Sequence, residues 1–138
     1  MFQELFPILG SDDIETALGF YRDLLGLEVT YRFPDEGEPQ YVGLRLGSSQ
    51  LGIGATPEAV RATRTGSATP MELVADTSGE SRFSLWLYVD DCDAAVEHLR
   101  HHGVRVLQEP EDQPWGERTA TVSDPDGNRV IIGSRPAD

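Results

Sequence analysis

Residues 11–29 read Ser-Asp-Asp-Ile-Glu-Thr-Ala-Leu-Gly-Phe-Tyr-Arg-Asp-Leu-Leu-Gly-Leu-Glu-Val, and residues 89–106 read Val-Asp-Asp-Cys-Asp-Ala-Ala-Val-Glu-His-Leu-Arg-His-His-Gly-Val-Arg-Val. With one gap, the acidic pair, the small residue, the apolar pair, the Arg and the Gly superpose. A repeat of this length implies two copies of one supersecondary unit. In each copy an Asp precedes apolar residues at helical spacing, and a Gly follows them. Ile14, Ala17, Leu18, Tyr21, Leu24 and Leu25 form the first stripe, stopped by Gly26. Ala95, Val96 and Leu99 form the second, stopped by Gly103.

Working outward, the flanks read as strands. Leu5–Leu9 precedes the first helix, and Leu27–Phe33 follows it. Tyr41–Leu46 and Gln50–Ala55 alternate around Gly47-Ser48-Ser49 and predict a hairpin. Phe83–Val89 opens the second copy, and Val104–Gln108 follows its helix. Pro110–Gly116 reads as a loop. Arg118–Ser123 and Asn128–Gly133 predict a hairpin around Asp124-Pro125-Asp126-Gly127. The expected fold class is therefore α+β, with two βαβββ modules in one domain of 138 residues. Module one spans 1–56 and module two 83–138. The Gly-, Ser- and Thr-rich stretch 57–82 links them, with a short helix at Pro57–Arg64.

Strand parity sorts the side chains, because alternate residues face opposite sides. Val42, Leu44, Leu46, Leu51, Ile53, Leu85, Leu87, Ala120 and Val122 are expected under the helices. The opposite face carries Phe6, Ile8, Tyr41, Arg45, Gln50, Gly52, Gly54, Ser84, Trp86, Tyr88, Thr119, Thr121, Arg129 and Ile131. That mixture of aromatic and polar groups suits a ligand cavity lining curved sheets around a cleft.

Composition narrows the function classes. The chain has 24 acidic and 11 basic residues, for a net charge of −13. An acidic surface repels phosphate backbones, so nucleic acid is not an expected partner. No stretch reaches membrane-spanning length, and Cys92 is the single cysteine. A soluble cytoplasmic protein is the expectation. Cys92 sits at a helix start, where a thiolate would be favoured, but no His is placed to serve it. His98 and His102 have i, i+4 spacing. They lie with His101 in the last turns of a helix, where they complement the helix dipole without an HExxH pattern.

These residues resemble the vicinal oxygen chelate superfamily, which includes glyoxalase I, extradiol dioxygenases and antibiotic-binding resistance proteins. The general resemblance rests on Phe20-Tyr21-(x)3-Leu25-Gly26-Leu27 and Asp124-Pro125-Asp126-Gly127-Asn128. A closer resemblance is to bleomycin-resistance proteins. It is carried by Pro7 in the first strand, by Leu85-Trp86-Leu87-Tyr88-Val89, and by Gln113-Pro114-Trp115-Gly116. Metal-dependent members hold a divalent ion through His or Glu at four strand positions. Those positions align with Phe6, Gly52, Ser84 and Ile131 here. Phe, Gly and Ile cannot ligate through a side chain, and Ser is a poor ligand for such ions. No metal or other cofactor is expected, and no catalytic residue is assigned.

The resemblance implies a non-catalytic protein that sequesters a bleomycin-like or other aromatic, cationic antibiotic. The expected ligand-binding residues are Trp115, Trp86, Tyr88, Phe33, Tyr41, Phe6, Ser84, Arg45 and Thr121. A homodimer is expected, with exchange of the first strand at Pro7. The alternative is a lyase, isomerase or dioxygenase of the same fold, working with an atypical metal site or none.

Overall fold

A computed structural model describes residues 1–56 and 83–136, and the chain divides into two compact units, Met1–Thr77 and Ser78–Asp138. The helix expected at Pro57–Arg64 lies outside the described residues, as does the linker.

The first unit runs β1 (Ile8–Ser11), α1 (Ile14–Leu18), a π-helical stretch (Gly19–Leu24), β2 (Glu28–Phe33), β3 (Tyr41–Leu46) and β4 (Ser49–Ala55). The second runs β5 (Leu85–Tyr88), α2 (Cys92–His101), β6 (Arg105–Asp112), β7 (Arg118–Ser123) and β8 (Arg129–Ser134). The sheets are ordered β1-β4-β3-β2 and β5-β8-β7-β6. In both, the first strand pairs in parallel with the last strand of its own module, and the other pairs are antiparallel. This is the α+β, twice-repeated βαβββ architecture that the sequence repeat predicts.

The capping logic holds in both copies. The Asp13 side chain accepts from the Thr16 amide, and that of Asp91 from the Ala94 amide. Gly26 and Gly103 adopt φ of 85° and 83°, the left-handed conformation that ends each helical stretch. Between the caps the first helix departs from expectation. A continuous α-helix through Leu25 would turn Phe20 outward, yet Phe20 and Tyr21 are both buried. The chain widens to π geometry from Gly19, and the Leu25 amide donates to the Phe20 carbonyl. The wider turn brings both rings inside, edge to face at 4.8 Å.

Parity decides the cores. Val42, Leu44, Leu51 and Ile53 are buried with the inner face of α1, and Ala120, Val122, Val130 and Ile132 with Cys92, Val96 and Leu99 of α2. Leu46 departs from the pattern at 41% exposed, because it ends β3 beside the two-residue turn Gly47–Ser48. Leu85 and Leu87 are only half-buried.

Two strand boundaries move by three residues or more. β1 starts at Ile8 rather than Leu5, where register with Gly52 begins. Pro7 contributes only its carbonyl, which accepts from the Gly52 amide at 2.9 Å. β6 continues through Pro110 to Asp112, where a loop was expected. Its register shifts between Val106 and Gln108 and between Gln108 and Glu111, so a residue without an N–H is accommodated in the irregular stretch.

Candidate functional site: an aromatic face and a ring-lined recess

In the second unit, alternation along β5 half-buries Leu85 and Leu87 and turns Trp86 and Tyr88 outward, 40% and 46% exposed. The Trp86 indole lies over Gly133 of β8, close enough that a Cβ there would meet three ring atoms at 3.0–3.1 Å. The Trp86 and Tyr88 rings are 5.9 Å apart and tilted by 56°.

Trp115 arrives from a tight turn. The Gly116 amide donates to the Gln113 carbonyl, and the Gln113 amide to that of Glu117. Gly116 takes a φ of 102°, which a residue with a Cβ rarely adopts. The Gln113 amide side chain donates to Thr119 Oγ1 at 2.9 Å, tying the turn to β7. Glu117 then gathers the aromatic groups. Tyr88 Oη donates to Oε2 at 2.8 Å, and Trp115 Nε1 donates to Oε1 at 2.7 Å. The bond to Glu117 holds the Tyr88 phenol above its ordinary ionisation range. Arg135 lies over the Tyr88 ring, with its guanidinium carbon 3.7 Å from the centroid.

Glu117 and Arg135 were not among the residues singled out from the sequence. Glu117 carried a weak signal, as a carboxylate two residues beyond a loop Trp. Arg135, past the end of the last strand, carried none.

In the first unit, Phe6, Tyr31, Tyr41, Leu44, Gln50 and Leu51 line a recess of about 170 Å³. Of these, Phe6 and Tyr41 belong to the expected ligand-binding set, and Tyr31 adds a third ring. The Tyr31 and Tyr41 rings are 6.0 Å apart. The Tyr41 ring lies over glycines. A Cβ on Gly52 would collide with Tyr41 Oη and meet Cε1 at 2.9 Å. Gly43 and Gly54 lie within 3.9 Å of the same ring by the same measure.

The structure thus groups Trp86, Tyr88 and Trp115 in one unit, and Phe6 and Tyr41 in the other. Four expected residues stand apart. Phe33 faces Tyr41 across the β2–β3 ladder and is exposed, but it does not line the recess. Arg45 pairs with Glu28 at 2.8 Å across the same ladder. Ser84 is exposed ahead of β5. Thr121 is 7% exposed, with Oγ1 at 3.5 Å from Gln108 Oε1, so it presents almost no surface.

Cys92 corrects the helix-start argument. It is 1% exposed, and its Sγ lies 3.4 Å from the Ile132 carbonyl. Burial pushes the thiol above its ordinary range, which outweighs the helix terminus. The His98 and His102 rings lie 4.7 Å apart, tilted by 56°, on the helix end, where His102 Nδ1 meets the His98 carbonyl at 2.9 Å.

The residues present do not fit a superfamily-type metal. Gly52 and Ile131 occupy matching register positions, opposite Ile8 and Trp86. At Gly52, Tyr41 fills the room a ligating side chain would need. Among the described residues, no group of three or more His, Cys, Asp or Glu side chains converges to hold an ion.

Comparison with known proteins fixes the class. A sequence model described as the glyoxalase/bleomycin resistance protein/dioxygenase superfamily matches residues 6–132, and the chain belongs to that superfamily. Among curated relatives, the uncharacterized protein YraH of Bacillus subtilis is 26% identical over 122 residues, 88% of this chain and 89% of YraH. Among solved structures, TioX from Micromonospora sp. ML1 superposes with a TM-score of 0.72 at 19% identity, covering 97% of this chain and 99% of TioX. Lactoylglutathione lyase from Agrobacterium tumefaciens superposes with a TM-score of 0.65 at 22% identity, covering 96% and 92%. These superpositions speak for the fold. Among the described residues, no helix is long and apolar enough to cross a membrane.

Proposed function

We propose that this protein binds and sequesters an aromatic natural product, with bleomycin-like antibiotics as the class to test first. The observation that carries the reading is the joining of Tyr88 and Trp115 by one carboxylate, with Trp86 5.9 Å from Tyr88 and the three rings left 40–61% exposed. Tyr88 and Trp115 held by hydrogen bonds, with Trp86 packed on Gly133, form a stacking surface with little ordering left to do on binding. The charge of −13 concentrates a cationic ligand around the chain. The superfamily's metal positions carry no suitable donors, so binding without bond cleavage is the chemistry the residues support. Protection would follow from mass action, as tight binding lowers the free ligand.

We extend the reading to a homodimer in which the first strand exchanges between copies. Phe2, Leu5 and Ile8 are exposed beside β1, the edge strand of its sheet, and a second copy would cover them.

The test is a tryptophan-fluorescence titration of EDTA-treated protein with bleomycin and a panel of other DNA-damaging antibiotics. Saturable quenching with Kd on the order of micromolar or below, weakened at least tenfold in Trp115→Ala, is the expected result. No saturable response anywhere in the panel refutes the sequestration reading.

A further inference from the structure

We propose that the C-terminal end of α2 is a metal site. His98 and His102 chelate one late first-row divalent transition ion, copper(II) in preference to zinc(II), and leave its other coordination positions to water or an outside ligand. The site lies on the helix side of the second sheet. There α2 packs on β6, β7 and β8, over the face that carries Ala120, Val122, Val130 and Ile132. The Trp86 indole lies over Gly133, which alternates to the other face. Neither imidazole belongs to the aromatic face, to the recess, or to the four positions at which metal-dependent relatives hold their ion.

Spacing comes first. All three histidines of the chain fall within residues 98–102. Side chains four apart are neighbours on one helix face, and the His98 and His102 ring centroids are 4.7 Å apart. An ion about 2.0–2.1 Å from an imidazole nitrogen sits about 3.2 Å from that ring's centroid. Two rings that share it at a right angle then have centroids about 4.5 Å apart, and at the tetrahedral angle about 5.2 Å. The observed separation falls between the two.

The hydrogen bonding sets the tautomer. His102 Nδ1 lies 2.9 Å from the His98 carbonyl, which can only accept, so Nδ1 carries the proton and the Nε2 lone pair is left for a metal. Metal-bound histidines usually tie their second nitrogen to a carbonyl or carboxylate in this way. Both side chains are exposed, so an ion reaches them without any opening of the fold.

Charge and donor type select the ion. His102 caps the helix C-terminus, whose carbonyls favour a cation. Arg100 of the same turn is engaged by both Glu97 and Glu109, two carboxylates to one guanidinium. Magnesium and calcium require oxygen donors, whereas imidazole suits copper, nickel and zinc. Among the described residues, no third His, Cys, Asp or Glu joins the pair. Two nitrogens completed by exchangeable oxygens are a donor set that suits copper(II), which also heads the affinity order of these ions.

The experiment titrates the full chain, carrying no affinity tag, with copper(II) chloride or zinc(II) chloride alone. Calorimetry gives affinity, and pulsed EPR of the copper form counts coordinated imidazoles. The expected result is one copper(II) per chain with Kd on the order of micromolar or below. Two imidazoles are bound, and zinc(II) binds at least about tenfold more weakly. His98→Gln and His102→Gln each weaken copper(II) by at least about tenfold, because the chelate is lost, and lower the imidazole count to one. His101→Gln and Trp115→Ala change the affinity by less than about threefold. The three histidines are exposed and glutamine is a good helix former, so circular dichroism stays that of the parent. The proposal is overturned if copper(II) binds with fewer than two imidazoles or not at all, or if zinc(II) binds as tightly. It is also overturned if either chelate variant keeps the parent's affinity, or if His101→Gln costs as much as the other two.

Discussion

Gly133→Ala separates a structural glycine from a ligand-shaping one. Its backbone φ is not in the left-handed region, so alanine is conformationally acceptable. The added Cβ would meet Trp86 Cζ2, Nε1 and Cε2 at 3.0–3.1 Å. Ordinary carbon contacts are longer, so the indole must rise by about 0.5 Å. In a sealed core such overpacking costs about 1–3 kcal/mol. Trp86 is 40% exposed and can lift, which puts the cost near the lower end. Replacing glycine also removes about 0.4–1 kcal/mol of unfolded-state entropy. The two terms oppose each other, and the net change should fall within about 1 kcal/mol of zero. Leu99→Ala, which empties a fully buried site of the same unit, should instead cost about 2–5 kcal/mol. Urea denaturation followed by circular dichroism measures both. In a Trp115→Phe background the emission reports Trp86 alone, and it should shift in Gly133→Ala while ligand affinity falls. A stability loss above about 2 kcal/mol would show that Trp86 is pinned from outside. Unchanged emission with unchanged affinity would refute the packing of the indole on this glycine.

Three further outcomes follow from the electrostatics and burial. The carboxyls of Asp13, Asp93 and Glu109 lie below their ordinary values, lowered chiefly by hydrogen bonds from Thr16, Arg118 and Arg100 respectively. Depressed native values mean stability that is present above the unfolded values of 3.8 and 4.5 and lost as pH falls through the native ones. The urea midpoint of the parent protein should therefore fall relative to that of Asp93→Asn as pH drops below about 4, and parallel profiles for the two would contradict the bond to Arg118. Tyr88 should ionise above the ordinary phenol range in a 295 nm titration, and Glu117→Gln should lower that step, since its hydrogen bond to Glu117 raises it. Cys92 should resist a thiol reagent such as DTNB at pH 8 in the native protein and react fully in guanidinium; native-state labelling would refute its burial.

Much of the fold was legible because the signals were local. Asp13, Asp91, Gly26 and Gly103 bracket the helices through their own backbone chemistry, and the repeat supplied the topology. What the sequence hid depended on partners distant in the chain. The π-helical turn arises because Phe20 and Tyr21 must both reach the core, which periodicity alone assigns to one α-helix. The start of β1 is set by register with Gly52, more than forty residues away. Parity placed Trp86, Tyr88 and Tyr41 on the sheet faces turned away from the helices. It could not show that Glu117 joins Tyr88 to Trp115, that Arg135 covers Tyr88, or that Arg45 is matched by Glu28. Thr121 failed to supply surface for a related reason. Parity gives the side of a sheet a residue faces, and neighbours decide whether that side is open.

The parallel pairing of each opening strand with the last strand of its own module also sets a timetable for synthesis. Ile8–Ser11 must wait for Gly52–Ala55 before it can join a ladder. At ordinary elongation rates that interval is roughly 2–9 s. For that time a nascent chain carries an apolar segment with its backbone donors and acceptors unmatched. On a polysome, a neighbouring chain that has already finished its fourth strand could present the same ladder first. The ribosome's pace, as much as equilibrium affinity, would then govern how often the opening strand finds a home in another copy.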